Sequence, residues 1–249
     1  HDLSLVGIAK RMMGNQLKFL YWQAMEIGIS KKDILHTIRF KKLDAWLALL
    51  PYLAKQVEVH TNFPKERVHL VPLGLELQRF TSNEITQENA RAALDVPNGT
   101  VTAGIIGRLD PQKGQHTAIE ALKLARENGN DINLIILGES TKNEGDAYEK
   151  KLHQMVADAG LEQHVLFRPY MRDTAPFYKA IDMLIMASEG ETFGTVTIEA
   201  MASGTPVIGT NTSGTPAILG DGEFGKLFTP NDSQALSQAI VAFANDQPE

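Results

Sequence analysis

Residues 182–209 constrain the fold of this chain more than any other stretch. Met183–Met186 is a short apolar run, typical of a strand buried inside a parallel sheet. A glycine-containing loop over 188–194 follows, and the residue spacing over 195–203 predicts a helix. Gly204 ends this helix, Pro206 follows, and Val207 begins the next strand. The sequence therefore predicts a strand–loop–helix–strand unit of a parallel α/β sheet.

In such a unit the loop and the helix N-terminus lie at the carboxyl edge of the sheet. Unpaired backbone N–H groups and a partial positive charge favour an anion there, above all a phosphate. Gly194 has no Cβ, so a ligand can approach the backbone closely. Glu191 precedes the helix and Glu199 lies within it. A capping box does not explain Glu199, because Val196 stands three residues before it. A solvated or dipole-stabilised carboxylate is the alternative interpretation.

Seven residues separate Glu191 from Glu199. The string from Glu191 to Ile208 is Glu-Thr-Phe-Gly-Thr-Val-Thr-Ile-Glu-Ala-Met-Ala-Ser-Gly-Thr-Pro-Val-Ile. It resembles glycosyltransferase family four, whose members are retaining enzymes with the GT-B fold and an E-x7-E motif. The resemblance implies that Glu199 accepts hydrogen bonds from two ribose hydroxyls, as a carboxylate can. Glu191 would face the donor sugar, and the sugar and phosphates would meet backbone N–H groups of Phe193, Gly194, Thr195 and Val196.

A second loop, between the strand predicted over 101–106 and the helix predicted over 115–128, carries two cations. Arg108 and Lys113 would lie at the same sheet edge as Glu191, where they could hold a diphosphate. They would stabilise the negative charge that grows on the phosphate as the sugar leaves. Ordinary surface charge is the alternative. The segment from Gly107 to Gly114 is similar to the diphosphate-binding loop of the family.

The resemblance thus implies a set of site residues. The catalytic residues would be Glu191, Arg108 and Lys113. The donor-binding residues would be Gly107, Arg108, Lys113, Met171, Glu191, Phe193, Gly194, Thr195, Val196 and Glu199. Met171 belongs to the turn over 168–171, which would hold the base through backbone groups.

Several other chemistries are disfavoured by the sequence. The 107–114 loop lacks the spacing and the Lys-Ser/Thr pair of a nucleoside triphosphate loop, and no Gly-x-Gly-x-x-Gly follows a strand. The seven histidines form no metal-binding pair, and there is no cysteine. We therefore expect no metal and no cofactor, with a UDP-, GDP- or ADP-sugar as the substrate.

The order of predicted elements indicates an α/β fold of GT-B type with two Rossmann-like domains. Residues 1–75 would be the second half of an N-terminal acceptor-side domain, with strands at 17–22, 45–50 and 68–71. Helices are expected there at 3–13, 33–42 and 51–59. Residues 76–249 would be a doubly wound, nucleotide-sugar-binding domain with five or six parallel strands. Because three strands are too few for a complete domain, we expect the chain to be part of a longer protein.

Charge is distributed unevenly along the chain. Residues 1–80 contain 12 basic and 7 acidic residues, whereas the remainder contains 12 basic and 23 acidic ones. The basic front suggests an anionic acceptor or a membrane surface, although an ordinary solvated face explains it equally well. No apolar run reaches the roughly 20 residues of a membrane span. We expect a cytoplasmic protein, with peripheral contact at the inner membrane face as one option, and no nucleic-acid partner.

The function that the resemblance implies is retaining transfer of a hexose from a nucleotide diphosphate sugar. The acceptor would be a glycan or a lipid-linked molecule, as in the synthesis of cell-envelope polysaccharide. Three alternatives stay open from sequence: a non-catalytic nucleotide-sugar-binding module, a GT-B-like sugar-nucleotide epimerase and a regulatory scaffold. The spacing of Glu191 and Glu199 argues against the epimerase.

Overall fold

The computed structural model describes residues 16–82, 84–141 and 146–246, together with Leu5, Ala9, Lys10, Met12 and Met13. The chain divides into two compact units, His1–Gly74 and Leu75–Glu249. This division lies one residue from the boundary expected from sequence, while the roles of the two units stay predictions. The helix predicted over 3–13 lies largely outside the described residues.

The front unit contains a parallel sheet of three strands in the order β1–β2–β3. The strands are β1 (Leu20–Gln23), β2 (Ala45–Ala48) and β3 (Val68–Leu70), and the helices include α1 (Ile34–Phe40) and α2 (Pro51–His60). A 3-10 turn, Lys65–Arg67, precedes β3. The strand predicted from residue 17 begins only at Leu20, because both backbone groups of Phe19 are bonded to Asp44.

Aromatic side chains form the core of the front unit. Trp46 is 2 % exposed and packs edge-on against Tyr21 and Phe40, with ring centroids 4.6 and 5.1 Å away. Such contacts add to the free energy gained by burial. The indole N–H of Trp46 donates to the buried Oε1 of Gln23 at 3.0 Å, so this polar group is satisfied inside the core.

The back unit contains a parallel sheet of six strands in the order β6–β5–β4–β7–β8–β9. They are β4 (Val101–Ile106), β5 (Ile132–Leu137), β6 (Val165–Arg168), β7 (Met183–Met186), β8 (Val207–Thr210) and β9 (Lys226–Phe228). The larger of the two strand counts predicted from sequence is therefore confirmed. The hydrophobic runs identified these strands well because both faces of a parallel sheet are covered.

Eight helices surround this sheet within the described residues. They are α3 (Leu77–Thr81), α4 (Gln87–Ala93), α5 (Gln115–Glu127), α6 (Ala147–Asp158), α7 (Ala175–Ala180), α8 (Thr195–Ala202), α9 (Thr215–Ile218) and α10 (Ser233–Asn245). Sequence patterning missed α3, which is too short for a periodic signal and has no side-chain cap. Among the described helices, none is both long enough and apolar enough to cross a bilayer.

Strand residues alternate between two hydrophobic layers. In β5, Ile132, Leu134 and Ile136 face the layer that contains buried residues of α5, α6 and α10. Ile135 and Leu137 face the opposite layer, which contains buried residues of α4, α7 and α8. Helices on both faces of a parallel sheet define a doubly wound domain, as predicted.

Candidate functional site

The sheet order places a crevice between β4 and β7. The chain proceeds from β4 to β5 on one side and from β7 to β8 on the other, so strand order reverses between these two neighbours. In open α/β sheets, ligands bind outside the carboxyl ends of the strands at such a reversal. The loops over 107–114 and 187–194, which follow β4 and β7, flank this point. These are the two loops that the sequence identified.

The two loops are in direct contact. The backbone N–H of Glu189 donates to the carbonyl of Gln112 at 2.9 Å. Gly114 has φ +73°, and a Cβ at this position would lie 2.3 Å from the carbonyl oxygen of Ala187. Glycine is therefore required both by the backbone conformation and by the close approach of the second loop.

Lys113 and Glu191 form an ion pair across these loops. Lys113 Nζ lies 2.6 Å from Glu191 Oε2, with the two side chains 29 % and 23 % exposed. The backbone of Glu191 is also fixed, because its carbonyl accepts the N–H of Gly214 at 2.9 Å. Sequence reasoning identified both residues separately, and the structure shows that each is the partner of the other.

Helix α8 begins next to this pair. Gly194 precedes its first residue with φ +68°, and no side chain caps the helix. A Cβ at Gly194 would lie 3.1 Å from Glu191 Cγ and 3.3 Å from Thr197 Oγ1. Neither Glu191 nor Glu199 therefore serves as the N-terminal cap, which removes one simple structural role. Phe193 is buried beside the same turn, at 7 % exposure.

Glu199 is held by two hydroxyl groups from the adjacent helix segment. Its Oε2 accepts from Tyr178 OH at 2.8 Å and from Thr174 Oγ1 at 3.2 Å. Burial first, and the charge of Glu199 second, raise the pKa of Tyr178 far above its ordinary value. The phenol therefore stays protonated and donates a hydrogen bond to Glu199 Oε2. Glu199 Oε1 has no hydrogen-bond partner among the described residues.

Thr174 and Tyr178 were not identified from sequence. They stand four residues apart, and residues at this spacing share one face of a helix. A polar pair on one face of an otherwise buried helix is the signal that could have indicated them. This signal indicates contacts to Glu199 only once the packing of α7 against α8 is known.

A cleft of about 410 Å³ opens beside these groups. Its lining includes five of the residues implied by the resemblance: Gly107, Arg108, Met171, Val196 and Glu199. Arg108 and Glu199, which come from different loops and lie far apart in sequence, thus share one cleft. The other five of these residues lie outside its lining: Lys113, Glu191, Phe193, Gly194 and Thr195.

Arg108 has a fixed backbone and an exposed head. Its carbonyl accepts from Gln115 Nε2 at 2.7 Å, whereas its side chain is 58 % exposed. The guanidinium lies 3.6 Å from Asp110 and 3.3 Å from Thr141 Oγ1, both of which are long contacts. An exposed pair at this distance contributes little free energy, so the guanidinium can exchange these partners for a ligand at small cost.

The turn over 168–171 contributes unevenly to the cleft. Met171 and Tyr170 line it, and the N–H of Tyr170 donates to Glu139 Oε1 at 3.2 Å. The guanidinium of Arg168 instead donates to the carbonyl of Leu94 at 2.7 Å, outside the lining. Glu139, which sequence reasoning also missed, is therefore a cleft residue, whereas the Arg168 side chain connects the end of β6 to the segment after α4.

Two further polar atoms near the two loops are buried without a partner among the described residues. They are Thr197 Oγ1, in the first turn of α8, and Gln115 Oε1, at the start of α5. Buried polar atoms are normally hydrogen-bonded, so these two are unusual features of this region. No group of three His, Cys, Asp or Glu residues suitable for a metal occurs in the described part of the chain.

Comparison with known proteins gives the family. The model of the glycosyl transferases group 1 family matches residues 86–249. A D-inositol 3-phosphate glycosyltransferase of Corynebacterium urealyticum is 32 % identical over 78 % of this chain and 46 % of its own length. The lipopolysaccharide core biosynthesis glycosyltransferase LpsE of Rhizobium meliloti is 34 % identical over 68 % of this chain and 47 % of its own. The chain thus spans about half the length of these curated relatives.

Solved structures support the fold. The crystal structure of Anabaena HepE in complex with UDP and glucose matches this chain with a TM-score of 0.82 and 24 % identity. The match covers 98 % of this chain and 66 % of the HepE chain. At this identity the likeness concerns the fold, and the α/β architecture of GT-B type expected from sequence is confirmed. The family match covers most of the back unit and includes both loops of the candidate site. This chain therefore belongs to the group 1 glycosyl transferases.

Proposed function

We propose that the protein is a retaining glycosyltransferase that moves a hexose from a nucleotide diphosphate sugar to a glycan or lipid-linked acceptor. One observation carries the proposal: Arg108 and Glu199 line a single cleft at the strand reversal, beside the Lys113–Glu191 pair. The names of the relatives, which include an enzyme of lipopolysaccharide core biosynthesis, favour an acceptor of the cell envelope. The complex of Anabaena HepE with UDP and glucose supports a nucleotide sugar as the donor.

The cations would act on the diphosphate. When the bond between the anomeric carbon and the phosphate oxygen breaks, its electron pair stays on the phosphate. Arg108 and Lys113 would stabilise this growing negative charge, so they would bind the transition state more tightly than the ground state. Backbone N–H groups over 193–196 would meet the sugar and phosphates, where the N-terminus of α8 already carries partial positive charge.

The glutamates would bind hydroxyl groups. Glu199, fixed through Oε2 by Tyr178 and Thr174, keeps Oε1 available for the ribose. Glu191 would orient the donor sugar and stabilise its cationic anomeric carbon. Glu191 is paired with Lys113 at 2.6 Å, and donor binding would exchange this contact for a phosphate on the lysine and sugar hydroxyls on the glutamate.

The proposal includes an enzyme without a metal or other cofactor, working in the cytoplasm. Screening identifies the base and the sugar of the donor, and the acceptor. Titration of the protein with UDP-, GDP- and ADP-sugars separates a nucleotide-sugar binder from a scaffold. An acceptor assay on the complete protein then separates an enzyme from a binding module.

Three substitutions test the roles. Glu191→Ala and Arg108→Ala should each lower turnover by about ten-fold or more, as expected when a charged contact to the transition state is lost. Glu199→Ala should mainly weaken donor binding. Lys123→Ala, an exposed lysine on α5 paired with Glu127, is the matched control. Turnover equal to wild type in all three variants would contradict the proposed function.

Retention is tested separately by proton NMR of the first product formed. The anomeric coupling constant should report the same configuration in the product as in the donor. A product of inverted configuration would remove the retaining mechanism while leaving the transferase assignment intact.

A further inference from the structure

Gln115 is a buried glutamine that no step of the proposed function uses. It is the first residue of α5 and is 0 % exposed. Side chains on a helix point towards its N-terminus, so the amide of a first helical residue extends back towards the preceding loop. Gln115 Nε2 donates to the carbonyl oxygen of Arg108 at 2.7 Å. Through this hydrogen bond, the start of α5 is connected directly to the start of the 107–114 loop.

The backbone on either side of Arg108 is held by the neighbouring strand. The N–H groups of Gly107 and Leu109 donate to carbonyls at the end of β5 and just beyond it, each at 3.0 Å. These two bonds continue the parallel β4–β5 pairing past the ends of both strands. The carbonyl of Arg108, between the two residues, is bonded by Gln115 instead. Gln115 therefore adds a third point of attachment, which comes from a helix rather than from a strand.

The guanidinium of Arg108 is not positioned by its own contacts. Its side chain is 58 % exposed, and its contacts to Asp110 and Thr141 are long, at 3.6 and 3.3 Å. Exposed contacts of this kind contribute little free energy. The direction in which the side chain leaves the backbone therefore decides which positions the guanidinium can reach, and Gln115 fixes the backbone at that residue.

The amide of Gln115 is only partly satisfied, which argues against a role in packing alone. Its Oε1 is buried and has no hydrogen-bond partner among the residues that the structure describes. A buried acceptor without a partner costs free energy, whereas an apolar side chain of the same size would fill this space without that cost. Packing therefore favours methionine over glutamine here. The bond to the Arg108 carbonyl, by contrast, requires a donor such as the amide.

We propose that Gln115 is a positioning residue for Arg108, and that its bond to the Arg108 carbonyl holds the guanidinium at the diphosphate of the donor. Gln115 itself would not touch the ligand, because it lies outside the lining of the donor cleft. The inference rests on the proposed function, since Gln115 acts there through Arg108. It follows that Gln115 contributes to diphosphate binding only while Arg108 is present.

The test is calorimetric titration of the full chain with UDP, GDP or ADP, whichever binds most tightly, and with the corresponding monophosphate. Gln115→Met keeps the volume of the side chain and removes the donor. It should weaken diphosphate binding by about five-fold or more, because the charge-assisted bonds from Arg108 lose their geometry. Monophosphate binding should weaken by less than about two-fold, because the terminal phosphate at which Arg108 acts is missing.

A double-mutant cycle with Arg108→Ala separates positioning from general support of the fold. Arg108→Ala alone should weaken diphosphate binding by about ten-fold. Adding Gln115→Met to Arg108→Ala should change binding by less than about two-fold further, since the group that Gln115 positions is already absent. Gln115→Asn is a second variant with the same expectations, because its shorter side chain does not reach the Arg108 carbonyl.

Asn133→Leu is the matched control. Asn133 is also a buried amide, 4 % exposed and bonded to His164, but it lies at the amino end of β5, away from the loop. Replacing it with an apolar side chain of similar size should change diphosphate binding by less than about two-fold. A loss as large as that of Gln115→Met would mean that any buried amide of this unit has the same effect, which would overturn the inference.

Other results would overturn it as well. Unchanged diphosphate binding in both Gln115 variants, or equal losses for diphosphate and monophosphate, would remove the positioning role. The same loss with and without Arg108 would show that Gln115 acts elsewhere. Failure of both variants to fold, judged by circular dichroism and thermal unfolding, would make Gln115 a structural residue.

Wild type and Arg108→Ala distinguish a failure of this inference from a failure of the proposed function. If wild type binds the diphosphate and Arg108→Ala weakens it, unchanged binding in Gln115→Met defeats the positioning inference alone. Binding by Arg108→Ala equal to wild type would remove the role of Arg108 and this inference with it. If no nucleoside diphosphate binds wild type, the proposed function fails, and the inference fails with it.

Discussion

Tyr178→Phe isolates the support of Glu199 from the packing of the core. Tyr178 is 1 % exposed and its ring lies in the hydrophobic layer on the α8 side of the sheet, so phenylalanine preserves the packing. The substitution removes only the hydroxyl that donates to Glu199 Oε2 at 2.8 Å. The carboxylate would keep a single, longer bond from Thr174 at 3.2 Å.

The expected loss follows from two opposing effects. The lost hydrogen bond to the charged carboxylate is of the kind that contributes about 1.5–3 kcal/mol. Without it Glu199 gains rotamer freedom, and fixing the side chain again when the ribose binds costs up to about 2 kcal/mol. A carboxylate with fewer donors becomes a slightly stronger acceptor, which offsets part of this. We expect ribonucleotide binding to weaken by about 1–2 kcal/mol, or roughly five- to thirty-fold.

The assay compares a nucleoside diphosphate with its 2′,3′-dideoxy form by calorimetry. If Tyr178 acts through Glu199 on the ribose, Tyr178→Phe should weaken the ribonucleotide and leave the dideoxy form unchanged. Tyr148→Phe is the matched control, because Tyr148 OH is bonded to His116 and lies outside the cleft lining. Equal losses for both nucleotides, or no loss for either, would refute the positioning of Glu199 by Tyr178.

Three further predictions concern stability and charge. Gly114→Ala should lower the free energy of unfolding by about 2 kcal/mol or more, from backbone strain and the clash with Ala187, in chemical denaturation. Gly129 has a similar φ but open space around it, so Gly129→Ala should lower the free energy of unfolding only by the cost of backbone strain. An equal decrease in the two variants would contradict the clash at Gly114. The Lys10 ammonium and the Phe19 N–H lower the pKa of Asp44 to about 2, so its contribution is complete above about pH 4 and lost towards pH 2. Asp44→Asn should therefore flatten the acid limb of a stability–pH curve, and an unchanged limb would argue against the pair. Glu191→Gln should release Lys113, raising affinity for a nucleoside diphosphate while lowering turnover, and lower affinity would contradict the competition between pair and ligand.

Much of the back unit could be predicted from sequence because its central strands are mostly apolar runs, and Gly107 and Gly138 directly follow two of them. β4 and β7 begin and end where expected. The helix α3 could not be predicted, since five residues contain too little periodicity. The late start of β1 depends on Asp44, which is distant in sequence from Phe19 and bonds to its backbone.

The site was predictable in its loops and less so in its contacts. The glutamates and cations could be identified from motif and spacing, and the reversal of strand order explains why their loops meet. The pairing of Lys113 with Glu191 and the support of Glu199 by Tyr178 depend on tertiary packing. Their roles in binding and catalysis stay predictions until ligand binding is measured.

The central claim is that the cleft at the β4–β7 reversal binds the donor. A crystal structure of the complete protein with its tightest-binding nucleoside diphosphate tests this most directly. We predict that the diphosphate lies within hydrogen-bond distance of the Arg108 guanidinium and that the ribose hydroxyls contact Glu199 Oε1. A nucleotide bound elsewhere, with Arg108 and Glu199 both free of contact to it, would contradict the account.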